Sequence, residues 1–281
     1  MSAKSFDIKP VSGALGAEIE GVDLSKDLSN ETFDDIHQAF LDYQVIFFRD
    51  QNLTPEQHIA FGRRFGPLNI HPYVKSMDGH PEIIEIIKEP HEKENFGGGW
   101  HSDVSFLEKP ALGSVLYARE VPAYGGDTLF ANQYLAYETL SDGMKEMLDG
   151  LRAIHTAERE YGARGHSAAK RDSMQVEQVA GDVPRFEHPV VRTHPETHRK
   201  ALYVNPAFTM NFKNMTRRES RPLLNFLFEH ATREEFTCRF RWTPNAIAFW
   251  DNRCVQHYAL NDYHGARRHM QRVTIDGERP H

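Results

Sequence analysis

Apolar residues follow a helical period in the first quarter of the chain. Four of them would form one stripe of a helix that Asn30 can cap: Phe33, Ile36, Phe40 and Tyr43. The run QVIFF at 44–48 comes next and predicts a buried strand. A second helix is predicted from Thr54, because a capping hydroxyl, Pro55 at the first helical position and Gln57 at the third are typical of a helix start.

From residue 83 onward the apolar stretches are short and bounded by turns. They read EIIEIIK, SVLYARE, DTLFA, HPVVRTH, KALYVN, FTCRFRW, AIAFW and RVTIDG. Helical patterns interrupt them at about 132–151 and at about 216–231, and Thr216 with Glu219 would form a capping box for the second. Many short strands with few helices predict a fold that is mainly β with flanking helices, arranged as a sandwich or barrel.

One long segment carries no such pattern. Residues 158–187 are charged, contain glycine and are almost aperiodic. A loop of this length inside a compact domain is usually an active-site lid or a flexible segment. Because the sequence has no internal repeat and no Gly/Ser linker, we expect residues 1–281 to form a single domain.

Composition and charge narrow the range of partners. The net charge is -7, and the sequence contains no cluster of Lys and Arg residues. Nucleic acid is therefore not an expected partner. The sequence has neither a signal peptide at its start nor an apolar run of the ~18 residues that a membrane helix needs, so we expect a cytoplasmic protein with no membrane partner. Cys238 and Cys254 are too few for a disulfide framework and are expected to be ordinary core residues.

A polar pair stands out in WHSDVSF at 100–106. Residues two apart in an extended segment point to the same side, so His101 and Asp103 could bind one metal ion. The spacing alone is not specific in a chain with 16 histidines, and His-Pro-Glu repeats it at 80–82 and at 194–196. The central proline of those two copies is typical of turns at strand boundaries.

A second segment raises the pair above chance. The stretch FWDNRCVQHYALNDYHGARRHMQRVTI places His257 just after a buried-looking strand and carries Arg268 and Arg272 four residues apart. Two imidazoles and one carboxylate on one face of a metal leave three positions open, which suits a non-haem Fe(II) that binds both a cosubstrate and oxygen. A zinc hydrolase can use the same ligand types and is the alternative.

The chain resembles the taurine dioxygenase family, which also includes alkylsulfatase and aryloxyalkanoate dioxygenases. His101-Ser-Asp103, His257 and Arg268 stand in the order of the family's iron and 2-oxoglutarate motif. Further segments match in order: GALGAEIEGVDL, RRFGPLNIHP, WHSDVSF, VPAYGGDTLF, HPVVRTHP, LYVN and WDNRCVQHYA. The resemblance implies a double-stranded β-helix (jelly-roll) core with helices packed outside, often as a homo-oligomer.

The same resemblance assigns cofactors to residues. Fe(II) would be bound by His101, Asp103 and His257. The cosubstrate 2-oxoglutarate would bind iron through its keto oxygen and C1 carboxylate, while Arg268 and the Thr128 hydroxyl would hold its far carboxylate. An arginine suits that role because its planar guanidinium matches a carboxylate with two parallel hydrogen bonds and stays charged when partly buried.

The resemblance also bears on the substrate. Arg272 and His71 match residues that contact the anionic end of the substrate in the taurine enzymes, and Phe208 is a candidate pocket wall. Where those enzymes carry polar side chains for the substrate amine, this chain has Asn-Phe-Gly-Gly-Gly at 95–99. We therefore expect a dioxygenase that uses O2 to hydroxylate a small alkylsulfonate or alkyl sulfate, with release of succinate and CO2. The alternatives are an aryloxyalkanoate or other carboxylate as substrate, and a jelly-roll module that binds metal or an organic acid without turnover.

Overall fold

The computed structural model of the protein describes residues 6–163, 165, 172–179 and 181–281. Its strands are β1 (Asp7–Pro10), β2 (Ala17–Glu20), β3 (Val45–Phe48), β4 (Ser76–Met77), β5 (His80–Lys88), β6 (Gly113–Glu120), β7 (Thr128–Asn132), β8 (Arg152–Thr156), β9 (Arg185–Pro189), β10 (Val191–Thr193), β11 (Lys200–Leu202), β12 (Thr209–Phe212), β13 (Thr237–Phe240), β14 (Ile247–Asp251), β15 (Val255–Ala259) and β16 (Arg268–Ile275). Its helices are α1 (Asn30–Tyr43), α2 (Pro55–Arg63), α3 (Gln133–Glu138), α4 (Asp142–Leu148), α5 (Glu158–Tyr161) and α6 (Arg217–Ala231), with a 3₁₀ turn at Glu234–Phe236.

The helices begin where side chains can cap them. The capping boxes predicted at Thr54 and at Thr216 are both present. Helix α1 is capped by Ser29 rather than by Asn30, because the Ser29 hydroxyl accepts a hydrogen bond from the amide of the third helical residue. The helical pattern at about 132–151 is divided into α3 and α4, since a serine caps a new helix in its middle.

Two largely antiparallel sheets enclose the main core. The larger has the strand order β1-β2-β3-β14-β6-β16-β5-β4, and the smaller has the order β13-β7-β15. Alternate residues of a strand point to one face, so Phe47, Leu116 and Trp250 of the larger sheet pack against Phe130 and Val255 of the smaller. This arrangement is the sandwich that the strand pattern predicts and the jelly-roll core that the family resemblance implies.

The other face of the larger sheet is covered by helices. Ile46, Tyr117 and Phe249 point outward and pack against Phe40 of α1 and Phe61 of α2. The rings of Phe40 and Phe249 stack with their centroids 4.0 Å apart. The prediction of a mainly β fold with helices packed outside it is confirmed.

One predicted strand is divided between two sheets. The run HPVVRTH contributes its first residues to β9 and its later ones to β10, because β9 pairs with β8 whereas β10 pairs with β11. Cys238 and Cys254 are buried free thiols, as predicted. Over the described ranges, no helix has the length and apolar character needed to cross a membrane.

The predicted lid segment at 158–187 lies only partly within the described residues. Positions 164, 166–171 and 180 lie outside them. In the part that is described, Tyr161 and Met174 are buried among Val74 and Phe208. This part of the segment therefore packs against the body of the protein.

Candidate functional site

His101, Asp103 and His257 meet at the edge of the smaller sheet. The chain at His101 pairs antiparallel with β15, and its amide and carbonyl exchange hydrogen bonds of 3.1 and 2.8 Å with those of His257. The Nε2 atoms of His101 and His257 lie 3.6 and 3.9 Å from the same oxygen, Asp103 Oδ1. The structure thus brings together the three residues that the sequence proposes as metal ligands.

The state of the His101 ring is set by a neighbouring carbonyl. Nδ1 of His101 lies 2.7 Å from the carbonyl oxygen of Gly99. A carbonyl can only accept a hydrogen bond, so Nδ1 carries the proton and the lone pair of Nε2 is free. His101 is therefore held in the form that a metal requires.

The Asp103 carboxylate is oriented from several sides. Ser114 donates a hydrogen bond of 2.7 Å to Oδ2, and the side chain of Asn252 accepts one of 3.0 Å from the Asp103 amide. The next residue, Val104, has a φ of 46°, which is rare for a β-branched residue and persists only where the surroundings impose it. These contacts fix Oδ1 on the side of the two histidines.

Arg272 is the nearest cation to this carboxylate. Its Nη1 atom lies 2.5 Å from Asp103 Oδ1, and both residues are buried, with exposures of 4% and 3%. Burial would raise the pKa of Asp103, but the positive charge of Arg272 lowers it well below its usual range. Asp103 is therefore a carboxylate and a competent metal ligand.

The donor set fits an open metal site. One ligand atom from each of the three residues lies within 4.8 Å of the others. Burial lowers the pKa of His257 well below its ordinary value, so its imidazole is neutral and can bind a metal. Three protein ligands on one side leave coordination positions for a cosubstrate and for oxygen.

A second group, His194, Asp251 and Cys254, has similar spacing but different chemistry. Nδ1 of His194 accepts hydrogen bonds from the amides of Glu196 and Thr197, so its Nε2 carries the proton and donates to Asp251 at 3.0 Å. No lone pair of this imidazole is left for a metal. The turn predicted at 194–196 is confirmed, and this group is a hydrogen-bonded part of the core.

Arg268 is a buried cation next to Trp242. Arg268 is 5% exposed, and among the described residues its Nε and Nη2 atoms have no hydrogen-bond partner. Burial lowers the pKa of Arg268, because the charged form loses water. Its guanidinium carbon lies 5.9 Å from the ring centroid of Trp242, and the indole nitrogen of Trp242 lies 2.9 Å from Thr128 Oγ1. Trp242 therefore links the two residues proposed to hold the far carboxylate of 2-oxoglutarate.

The glycine pair before Thr128 makes room for this arrangement. Gly126 has a φ of +71°, and a Cβ atom there would lie 3.2 Å from Tyr263 and 3.4 Å from Cδ of Arg268. A side chain would press on both residues. The motif GGDTLF thus serves the packing of Arg268 as well as the placement of the threonine.

A cavity of about 460 Å³ opens beside His101 and Asp103. His71, Phe208 and Arg272 all line it together with His101 and Asp103, so the structure brings together the predicted substrate residues. Further lining residues were not predicted: Val104, Phe106, Tyr161, Tyr258 and Asn261. Phe106 could have been inferred from the motif WHSDVSF, whereas Tyr161 lies in the aperiodic segment and carries no signal.

His71 is a neutral hydrogen-bond donor. Its Nδ1 atom accepts hydrogen bonds of 3.2 and 3.1 Å from the amides of Tyr73 and Val74, so Nε2 carries the proton. Burial and the charge of Arg272 lower the pKa of His71 to about 3. The turn is built like the one at His194, with the imidazole capping the two amides after a proline. Of the pair proposed to bind the substrate anion, only Arg272 is a cation.

Comparisons with known proteins agree with this geometry. Residues 7–274 match the model of the family described as taurine catabolism dioxygenase TauD, TfdA family. The chain is 36% identical to an alpha-ketoglutarate-dependent sulfate ester dioxygenase of Pseudomonas putida, over 99% of this chain and 92% of that protein. It is 35% identical to an alkylsulfatase of Acinetobacter baylyi, over 98% and 86% of the two chains. The crystal structure of a taurine dioxygenase from Burkholderia xenovorans superposes with a TM-score of 0.83 at 39% identity, over 98% of this chain and 92% of that one.

Proposed function

The chain belongs to the taurine catabolism dioxygenase TauD, TfdA family and is a 2-oxoglutarate-dependent dioxygenase, and we propose that it oxidises a small organic anion at His101, Asp103 and His257. The cofactors of this family are Fe(II), 2-oxoglutarate and O2. Bound iron would couple the conversion of 2-oxoglutarate and O2 to succinate and CO2 with insertion of an oxygen atom into a C–H bond of the substrate. The protein's part is to hold the reactants in position.

One observation carries the proposal. Two imidazole nitrogens and one carboxylate oxygen converge beside a cavity whose wall includes His101, Asp103 and the buried Arg272. The free lone pair of His101 and the ionised state of Asp103 make the group fit a divalent metal, unlike the saturated group around His194. A zinc hydrolase would need a general base beside an open position. Here the side chain that contacts Asp103 on its cavity side is the cation Arg272, which cannot act as a base.

Arg268 and Thr128 support the assignment of the cosubstrate. The guanidinium of Arg268 is buried with donors that have no partner in the described part of the chain, and an unpaired buried charge is costly. A carboxylate would satisfy it with charge-assisted hydrogen bonds. The far carboxylate of 2-oxoglutarate would lie between this guanidinium and the Thr128 hydroxyl.

The cavity suits an anion with an apolar tail. Arg272 supplies a charge and His71 a neutral donor for the anionic head, while Phe106 and Phe208 form apolar walls. The glycines at 97–99 bring no side chains that could pair with a substrate amine. Glu94 and Glu160 also line the cavity, so the preference for an alkylsulfonate or alkyl sulfate with an apolar tail over taurine rests on the lack of side chains at 97–99 alone.

The organisation of the enzyme is part of the proposal. We propose that residues 1–281 form one catalytic domain, that 158–187 act as its lid, and that the enzyme works as a homo-oligomer in the cytoplasm. The lid is supported by Tyr161, which is buried and lines the cavity. The single domain is supported by the match of one family model over residues 7–274.

A turnover screen tests the function. Succinate formation and oxygen consumption would be measured with Fe(II) and ascorbate over alkylsulfonates, alkyl sulfates, aryloxyalkanoates and taurine. We expect the amine-free sulfonates and sulfates to be oxidised fastest, and zinc in place of iron to abolish turnover. A taurine rate above all of them would refute the glycine argument and leave the metal site standing. If no anion increases succinate formation, the protein is a binding module instead.

A further inference from the structure

We propose that Arg272 is shared between the Asp103 carboxylate and the anionic head of the substrate, so that binding of the anion and binding of the metal strengthen each other. This inference rests on the proposed function. It adds a role for Arg272 in metal binding to its role as an anion contact.

The geometry places two competitors on one oxygen. Arg272 Nη1 lies 2.5 Å from Asp103 Oδ1, the oxygen that the Nε2 atoms of His101 and His257 face at 3.6 and 3.9 Å. A metal bound by the two imidazoles would also bind that same oxygen. Two cations on one buried oxygen also repel each other, since the low dielectric constant of the interior strengthens charge interactions. Arg272 in this position therefore weakens metal binding.

The other side of the guanidinium faces the cavity proposed to bind the substrate. Arg272 lines the cavity with His71, and within the described residues its buried Nε atom has no partner. An anionic head placed against His71 would attract the same positive charge. The more strongly the guanidinium interacts with the substrate anion, the more weakly it interacts with the Asp103 carboxylate.

Asp103 does not need Arg272 to keep its orientation. Ser114 donates to the opposite oxygen, Oδ2, at 2.7 Å, and Asn252 holds the backbone amide of Asp103 while donating a 3.0 Å hydrogen bond to the Ser114 hydroxyl. A carboxylate released by the guanidinium therefore still presents Oδ1 to the metal. The contacts that orient Asp103 are therefore different from the Arg272 contact that competes with the metal.

The coupling has a defined size and is reciprocal. We expect a factor of about ten, within the range typical of linked binding sites. Because the linkage is thermodynamic, the metal must strengthen anion binding by the same factor as the anion strengthens metal binding.

The test measures Co(II) affinity by calorimetry in the full chain, without O2 and without 2-oxoglutarate, so that no turnover occurs. We expect 1-butanesulfonate to tighten Co(II) binding about tenfold, and 1-butanol, which lacks the charge, to have no effect. Arg272→Gln should bind Co(II) more tightly than the native protein and should no longer respond to the sulfonate. Arg267→Gln is the matched control, since it removes a neighbouring charge that pairs with Glu89 and Glu120 instead.

Three results would overturn the proposal: weaker Co(II) binding in Arg272→Gln, an unchanged Co(II) affinity while 1-butanesulfonate is bound, or no binding of 1-butanesulfonate at all. Arg272→Lys covers the case in which the glutamine variant does not fold, because lysine keeps the charge and should keep the coupling. The turnover screen is independent of these titrations. A protein that couples the two ligands yet oxidises no anion would refute the proposed function and leave the sharing of Arg272 intact.

Discussion

The indole nitrogen of Trp242 donates a 2.9 Å hydrogen bond to Thr128 Oγ1. An indole can only donate, so the threonine oxygen is the acceptor and its own proton remains available. Thr128 is thereby prepared to donate to a carboxylate, beside the cation of Arg268. Trp242, a buried core residue, thus sets the direction of a hydroxyl in the proposed cosubstrate site.

Substitutions in this site should act on the cosubstrate alone. Arg268→Met should raise the KM for 2-oxoglutarate about ten- to a hundredfold, since a buried charge-assisted hydrogen bond is worth roughly 1.5–3 kcal/mol. Thr128→Val should raise it by a smaller factor, because one neutral donor is lost. Succinate formation at varied 2-oxoglutarate measures both. Arg199→Gln, which removes an exposed cation paired with Glu138, is the control, and an unchanged KM in Arg268→Met would place the far carboxylate elsewhere.

Removal of Asp103 should cost stability as well as metal binding. Asp103→Ala leaves the guanidinium of Arg272 buried without its partner, and breaking a buried ion pair on one side costs about 3–5 kcal/mol. His101→Ala and His257→Ala should abolish metal binding at a smaller cost. Urea unfolding without metal compares the three variants. Asp103→Leu combined with Arg272→Met should recover much of the loss, and equal stabilities for all the single variants would contradict this account.

Binding of the anion should not depend on the charge of His71. The pKa of His71 is lowered from 6.5 to about 3, so the ring stays neutral between pH 5.5 and 8. The affinity for 1-butanesulfonate should therefore stay level as the pH falls from 7.5 to 5.5, when measured without metal. A histidine that gained charge over this range would instead bind the anion about tenfold more tightly at the lower pH. His71→Gln, in which no imidazole can titrate, is the control.

The same shift makes a prediction about stability. The unfolded chain binds a proton at position 71 near pH 6.5, whereas the folded protein does so only near pH 3. Burial of His71 therefore lowers the stability of the fold as the pH falls through this window. His71→Gln should reduce the acid dependence of the urea midpoint, and an unchanged dependence would show that the ring is protonated in the fold.

The first glycine of the triplet should tolerate substitution less than the last. Gly97 has a φ of +74°, and a Cβ atom there would lie 3.2 Å from Cε1 of the His101 ring, whereas none of the described atoms lies within 4 Å of a Cβ at Gly99. Gly97→Ala should cost about 1–2 kcal/mol and weaken Co(II) binding, because it strains the backbone and displaces a ligand. Gly99→Ala should change neither. Thermal unfolding and Co(II) titration of the two variants test this prediction. Equal stabilities and equal Co(II) affinities would show that Gly97 does not support the site.

Local patterns in the sequence predict the elements well. The capping boxes at Thr54 and Thr216 depend on residues three apart, and the strands depend on alternation, so neither needs distant contacts. The division of HPVVRTH between two sheets could not be predicted, because it depends on which strands are its neighbours. The sequence indicates the candidate ligands through the order of its motifs, which matches that of the family. It does not give the distances between them.

Two chemical features of the site could not be predicted from the sequence. Arg272 was expected to meet only the substrate, and its contact with Asp103 joins β16 to a segment far away in the chain. The neutral state of His71 depends on two amides that follow a proline turn, which residue types alone do not reveal. Both features arise from tertiary placement, which a motif does not encode.

The backbone pairing of His101 with His257 bears on how the enzyme acquires its metal in the cell. A ribosome releases the first histidine long before the second, and a contact between such distant residues forms late because a long loop must close. A nascent chain holding only His101 and Asp103 lacks a full set of ligands. Assembly of the three proposed ligands should therefore follow the docking of β15, which brings His257 against His101.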